Sequence, residues 1–162
     1  MIIVTGALHH ENIKILLIED NPADIRLTQE VFREGKIRVD LYIVHNGIEA
    51  FDFLEKKGAY QNMPRPDLIL LDLNLPKKNG YQVLQGIKTH DAFSNIPVVI
   101  LTTSKDKGDI RKTYDMRANC FITKPFDLDQ FIDVAKSIES FWLTLVQLPG
   151  NKKETEKNPS FI

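Results

Sequence analysis

One cysteine is present among 162 residues, so no disulfide can form within the chain. Cys120 lies in an apolar run and reads as a small core residue. No apolar run approaches the ~20 residues that span a bilayer, and the opening Met1-Ile2-Ile3-Val4 lacks the basic region of a signal peptide. Charge of one sign is also missing. Lysine and arginine total 21, aspartate and glutamate 22, and the net charge of −1 gives no general pull toward nucleic acid or acidic membrane. No glycine-rich phosphate loop follows the first apolar run, which counts against a nucleotide or flavin binder. His9, His10, His45 and His90 have no metal-site spacing, and none stands in a phosphodonor helix. The expectation is a cytoplasmic protein of one domain.

What is present is regular alternation. Apolar residues make up 43%, enough for a full core. Strand-like runs stand at 13–18, 41–44, 68–71, 98–101 and 120–122. Most are apolar throughout, as in strands covered on both faces. Amphipathic stretches fill the gaps. Ala23, Leu27 and Val31 recur at helical spacing, with Asn21-Pro22 as a start signal and Gly35 as a stop. Ala50, Phe51 and Leu54 mark a second helix, and Val83, Leu84 and Ile87 a third. Ile110 and Tyr114 mark a short fourth, and a fifth starts near Asp127. Residues 56–67 read as a long loop. Strict strand–helix alternation implies a parallel sheet with helices on both faces, and ligands in such sheets bind beyond the carboxyl ends of the strands. The domain should cover 13–148, after an irregular lead-in at 1–12 and before a polar, disordered tail at 149–162.

The strand ends carry the chemistry. Glu19 and Asp20 close the first run, Asp72 the third, Thr102 the fourth, and Lys124 follows the fifth. A single acid after a strand is ordinarily a solvated turn residue, but each type at its own strand end is a joint pattern. Converging carboxylates repel unless a cation neutralises them, and Mg²⁺ takes oxygen ligands of this kind. Against the three acids, Mg²⁺ and Lys124 restore neutrality. Asp72 can attack phosphorus and hold an aspartyl-phosphate, a reaction that needs positioning and charge neutralisation. The Thr102 hydroxyl can donate to a phosphoryl oxygen, the backbone carbonyl of Asn74 can reach a metal, and a cis Lys124-Pro125 bond would aim the lysine inward.

Glu19-Asp20, Asp72 with Pro76 and Gly80, Thr102 and Lys124-Pro125-Phe126, in this order and spacing, resemble the receiver domains of two-component response regulators. The resemblance covers about residues 13–140. It implies a flavodoxin-like (βα)5 three-layer sandwich with sheet order 2-1-3-4-5. It implies that Asp72 accepts phosphate from a sensor histidine kinase, and that Asp20, Asp72 and the Asn74 carbonyl hold Mg²⁺, with Glu19 acting mainly through water. Thr102 and Lys124 would bind the phosphoryl group. Phe121 takes the aromatic switch position, departing from the common tyrosine. Asn74 and Ser104 occupy the positions that tune dephosphorylation. A narrower resemblance, carried by the 56–67 loop, by Leu101–Ser104 and by Phe141-Trp142-Leu143 with Val146 and Leu148-Pro149, is to the small regulators that pair with cyanobacterial phytochrome kinases.

The last helix would run to about Gln147, and its end is apolar nearly all round: Phe141, Trp142, Leu143, Leu145, Val146 and Leu148. Such an end calls for a second partner, and a homodimer through these residues and the strand bearing Phe121 is expected. The short remainder leaves no room for a DNA-binding output module, so output should be protein contact or onward phosphoryl transfer in a phosphorelay. A phosphatase of the haloacid dehalogenase type also uses a strand-end aspartate with Mg²⁺. It requires a second acid two residues later, where this chain has Asn74.

Overall fold

The computed structural model describes residues 12–35, 37–75, 79–103, 111–112, 115, 117–118 and 120–138. Five strands, β1 (Ile13–Ile18), β2 (Val39–Val44), β3 (Leu68–Asp72), β4 (Val98–Thr102) and β5 (Cys120–Thr123), form one sheet in the order β2-β1-β3-β4-β5. Every neighbouring pair is parallel. The expected order is therefore found. Strand order reverses beside β1 and β3, so the ends of these two strands flank the crevice where such sheets bind ligands. The expected run at 41–44 is longer at its start, because Val39 and Asp40 pair with Ile13 and Lys14. β2 is an edge strand of mixed sequence (VDLYIV), and most of it is half-buried.

The helices are α1 (Pro22–Glu34), α2 (Gly47–Leu54), α3 (Gly80–Thr89) and α4 (Leu128–Lys136). Each starts at a side chain that accepts the orphan backbone N–H groups. Asn21 Oδ1 accepts from the amides of Ala23 and Asp24, at 2.9 and 3.2 Å. Asn46 caps α2 by accepting from the Glu49 amide at 2.9 Å. Asn79 with Gln82, and Asp127 with Gln130, form reciprocal capping boxes. The expected 56–67 loop contains a 3-10 turn at Gly58–Tyr60, and the Tyr60 ring packs on Phe53 at 5.6 Å between centroids. Arg111, Lys112 and Asp115 are helical, while Ile110 and Tyr114, the expected apolar marks of that helix, lie outside the described residues. No described helix is long and apolar enough to cross a membrane.

Alternation along each strand splits the core in two. Leu16, Ile18, Ile69, Leu71, Val98 and Ile100 face α2 and α3, where Phe53, Val83, Leu84 and Ile87 join them. Ile13, Ile15, Leu17, Leu70, Val99 and Ile122 face α1 and α4, where they meet Phe32, Phe131 and Ala135. Cys120 is half-buried rather than enclosed, its Sγ 2.9 Å from Ser137 Oγ. α1 stops before Gly35 as expected, but for a different reason. Gly35 has extended backbone (φ −77°) rather than a left-handed cap, and a Cβ there would lie 2.4 Å from Leu128 Cδ2. The glycine thus admits α4 against the end of α1.

Gly80 constrains the rim more severely. A Cβ at this position would lie 2.5 Å from Leu73 Cα and 2.6 Å from the Asp72 carbonyl oxygen. The wall is backbone, which cannot rotate aside. Gly80→Ala is expected to lower stability by about 1–3 kcal/mol in urea unfolding followed by circular dichroism. Gly86→Ala, whose Cβ would meet the Phe51 ring tip at 2.5 Å, should cost less, because that ring can turn and the helix interior favours alanine.

Candidate functional site

Strand parity assigns the rim residues to sides. Glu19 continues the alternation of Ile13, Ile15 and Leu17, Asp72 that of Leu68 and Leu70, and Lys124 that of Ile122, so all three point to the α1–α4 side. Asp20 and Thr102 continue the opposite set, on the α2–α3 side, as does Phe121, which packs half-buried against that half of the core. The pairing continues past the strands: the Glu19 amide donates to the Val44 carbonyl at 3.0 Å and the Lys124 amide to the Thr102 carbonyl at 2.8 Å. These bonds hold the first residues beyond β1 and β5 in register with the sheet.

At the centre stands one ammonium. Lys124 Nζ lies 2.6 Å from Glu19 Oε2, 3.0 Å from Asp24 Oδ2 and 3.2 Å from Asp72 Oδ2. The Lys124-Pro125 peptide bond is cis, as anticipated. Glu19 and Asp72 are buried, at 1% and 4% exposure, and Thr102 is fully buried, whereas Asp20 faces solvent. Asp72 Oδ1 accepts from the Asn74 amide at 3.1 Å, and Glu19 Oε1 from the Asn21 amide at 3.1 Å. Both buried carboxylates are thus fixed from two directions, by a backbone N–H and by Lys124.

The electrostatics follow from burial. Desolvation pushes the Glu19 carboxyl up to about 7. The hydrogen bond from Lys124 pulls it down, and the nearby Asp72 carboxyl pushes it up again. Burial acts to lower Lys124, but its hydrogen bonds to Glu19 and Asp24 and the charges of Asp72 and Glu19 outweigh that and hold it above the ordinary lysine value. The lysine is therefore a permanent cation, and the acids around it are only partly neutralised by it.

Oxygen atoms of Glu19, Asp20 and Asp72 lie within 4.8 Å of one another. All are hard donors, two of them are buried, and a negative excess remains after Lys124 is counted. This donor set fits a small divalent cation that takes oxygen ligands. Among the described residues it is the group of acids, histidines or cysteines placed to hold one.

The sequence-derived residues Glu19, Asp20, Asp72, Asn74, Thr102 and Lys124 all come together at this rim. Phe121 stands one strand turn below Thr102, on the same face. Phe141, Trp142, Leu145 and Val146, expected at a dimer interface, lie outside the described residues, as do Pro76 and Ser104. One residue was missed: Asp24, in the first turn of α1. Its presence changes the expected balance of three acids against Mg²⁺ and lysine, because four carboxylates now surround the rim. The available signal was its position, one helical turn past Asp20 with the cap at Asn21 between them.

Beside Lys124 a groove of about 370 Å³ opens between α1 and the segment after β5. Leu27, Val31, Pro125 and Phe126 form its apolar wall, and Asp24, Glu30 and Glu34 its acidic one.

Residues 15–136 match the response regulator receiver domain family. The response regulator Rcp1 of Synechocystis sp. is 48% identical over 136 residues, covering 84% of this chain and 92% of that protein. Among solved structures, the phosphorylated cyanobacterial phytochrome response regulator RcpA is 47% identical with a TM-score of 0.70, over 86% of this chain and 99% of its own. The Mn²⁺-bound form of Rcp1 is 48% identical with a TM-score of 0.67, over 84% and 98%. With its sheet order, its buried acidic rim and its strand-end lysine, this chain belongs to the receiver domains of response regulators.

Proposed function

We propose that Asp72 accepts a phosphoryl group from a phosphohistidine of a sensor histidine kinase, in a Mg²⁺-dependent reaction in the cytoplasm, and that the phosphorylated domain signals by protein contact. A phytochrome is the kinase class favoured, since Rcp1 and RcpA are relatives of this chain and RcpA is named a phytochrome response regulator. The observation that carries the reading is the seat of Asp72: a buried carboxylate with a lysine ammonium at 3.2 Å and two further acids within metal-sharing distance.

An Asp72 carboxylate oxygen attacks phosphorus, the P–N bond breaks, and its electron pair leaves with the imidazole. Lys124 is already beside Asp72 and shifts a donor from the carboxylate to a phosphoryl oxygen. Thr102, at the end of the adjacent strand, donates its hydroxyl to another. Asp20, Asp72 and the Asn74 carbonyl would hold Mg²⁺, with Glu19 reaching it through water. Mg²⁺, when bound, neutralises charge on the transferring group. The same geometry supports phosphorylation by small donors and slow hydrolysis of the aspartyl-phosphate. Thr102 and Phe121 share a face of the sheet, so a Thr102 hydroxyl drawn toward the phosphoryl group leaves room beside it for the Phe121 ring. That ring has no hydroxyl, so the movement is one of packing alone. The apolar run Phe141, Trp142, Leu145 and Val146, with Phe121 on the edge strand, supports a homodimer.

Three outcomes are expected. Acetyl phosphate with Mg²⁺ labels the wild-type protein and leaves Asp72→Asn unlabelled; equal stable labelling of both would remove Asp72 as acceptor. Mg²⁺ affinity, read by calorimetry, rises from about pH 6 to about pH 8. The sign follows from the Glu19 carboxyl, pushed up to about 7: its proton competes with the cation below that value and is gone above it. A flat profile would show that Glu19 does not report on the metal. In light scattering the protein runs at twice 18.6 kDa at micromolar concentration, and a monomer mass with and without phosphorylation would dismiss the dimer.

A further inference from the structure

The Lys124 ammonium faces three carboxylates: it donates hydrogen bonds to Glu19 at 2.6 Å and Asp24 at 3.0 Å, and is ion-paired with Asp72 at 3.2 Å. Two of these partners change when the site is used. Glu19 and Asp72 both belong to the acidic cluster that can share a metal ion, and Asp72 also receives the phosphoryl group. Asp24 stands outside that cluster. Its backbone is held by the Asn21 cap, which accepts from its amide at 3.2 Å. Its carboxylate, bonded to Lys124 at 3.0 Å, is left to the lysine while the other two are drawn toward new partners. The groove beside Lys124 matters here, because it offers the ammonium an exit toward solvent past Asp24.

Resting on Asp72 as acceptor and Lys124 as its cation, we propose that Asp24 is a positioning residue for phosphoryl transfer. It tethers Lys124 Nζ at the rim while metal and phosphoryl group take over Glu19 and Asp72. Without the tether the ammonium spends part of its time in the groove, and the transition state loses a pre-placed charge. The side chain of Asp24 is one-third exposed, so the effect is moderate.

The test is a double-mutant cycle in which acetyl phosphate is the donor and Mg²⁺ is saturating. Asp24→Ala is expected to slow phosphorylation about threefold, with Asp24→Asn between it and wild type and with the Mg²⁺ dissociation constant changed by less than about twofold. In the Lys124→Ala background, Asp24→Ala should change nothing, because the residue acts through that lysine. A purely structural Asp24 would slow both backgrounds equally, and that outcome overturns the proposal. So does an unchanged or faster rate in the wild-type background, which would mean that Asp24 competes with the phosphoryl group for Lys124. Labelling of Asp72→Asn would instead sink the underlying assignment of the acceptor, which this cycle does not measure.

Discussion

A single ammonium among buried carboxylates governs this molecule. Glu19 and Asp72 sit at 1% and 4% exposure, where two unpaired negative charges would repel each other and pay heavily for lost hydration. Lys124 Nζ stands within 3.2 Å of both, which keeps the pair tolerable without satisfying it. The residual strain is visible in Glu19, raised to about 7. A site left short of positive charge in this way is built to take up a cation, and then to tolerate a phosphoryl group that brings more negative charge. The stability of the resting rim and its readiness to react share one origin.

The parallel sheet makes this arrangement possible. β1, β3 and β5 end at the same edge, and backbone bonds from Glu19 to Val44 and from Lys124 to Thr102 extend the register one residue past the strands. Parity then distributes the roles. Glu19, Asp72 and Lys124 turn toward α1 and α4, where Asp24 completes the lysine's shell. Asp20, Thr102 and Phe121 turn toward α2 and α3. The lysine-centred cluster and the Asp20, Thr102 and Phe121 set thus lie on opposite faces of one sheet and meet at the strand ends. Gly80 closes the remaining side, where its missing Cβ lets the start of α3 touch the backbone of Asp72 and Leu73.

Much of this was legible before any coordinates. Apolar runs that end in Glu19, Asp72 and Thr102 report buried parallel strands, because only a strand covered on both faces has no reason to alternate. Asn21 and Asp127 announce helix starts, because the orphan amides there need a local acceptor. β2 was harder to bound, since an edge strand half-covered on each face carries Asp40 as readily as Leu41. Gly35 was correctly placed as a boundary for the wrong reason, because a close approach by Leu128, which follows 93 positions later in the chain, leaves no local trace.

The sequence by itself determined the sheet, its order, the family and the identity of the acids, hydroxyl and lysine at the strand ends. The elements and the strand-end groups follow from short-range pattern (period, cap, or a residue type at a run's end), and the family and sheet order from the resemblance those groups carry. Only the tertiary structure decided how those groups divide the available charge. That Lys124 bonds Glu19, Asp24 and Asp72 together, that Glu19 is the buried acid and Asp20 the exposed one, and that Asp24 belongs to the site all depend on α1 and the segment after β5 being packed side by side. The two segments are about 100 residues apart in the chain. Coulomb and hydrogen-bond energies depend on distance in space, and no spacing along the chain encodes that distance.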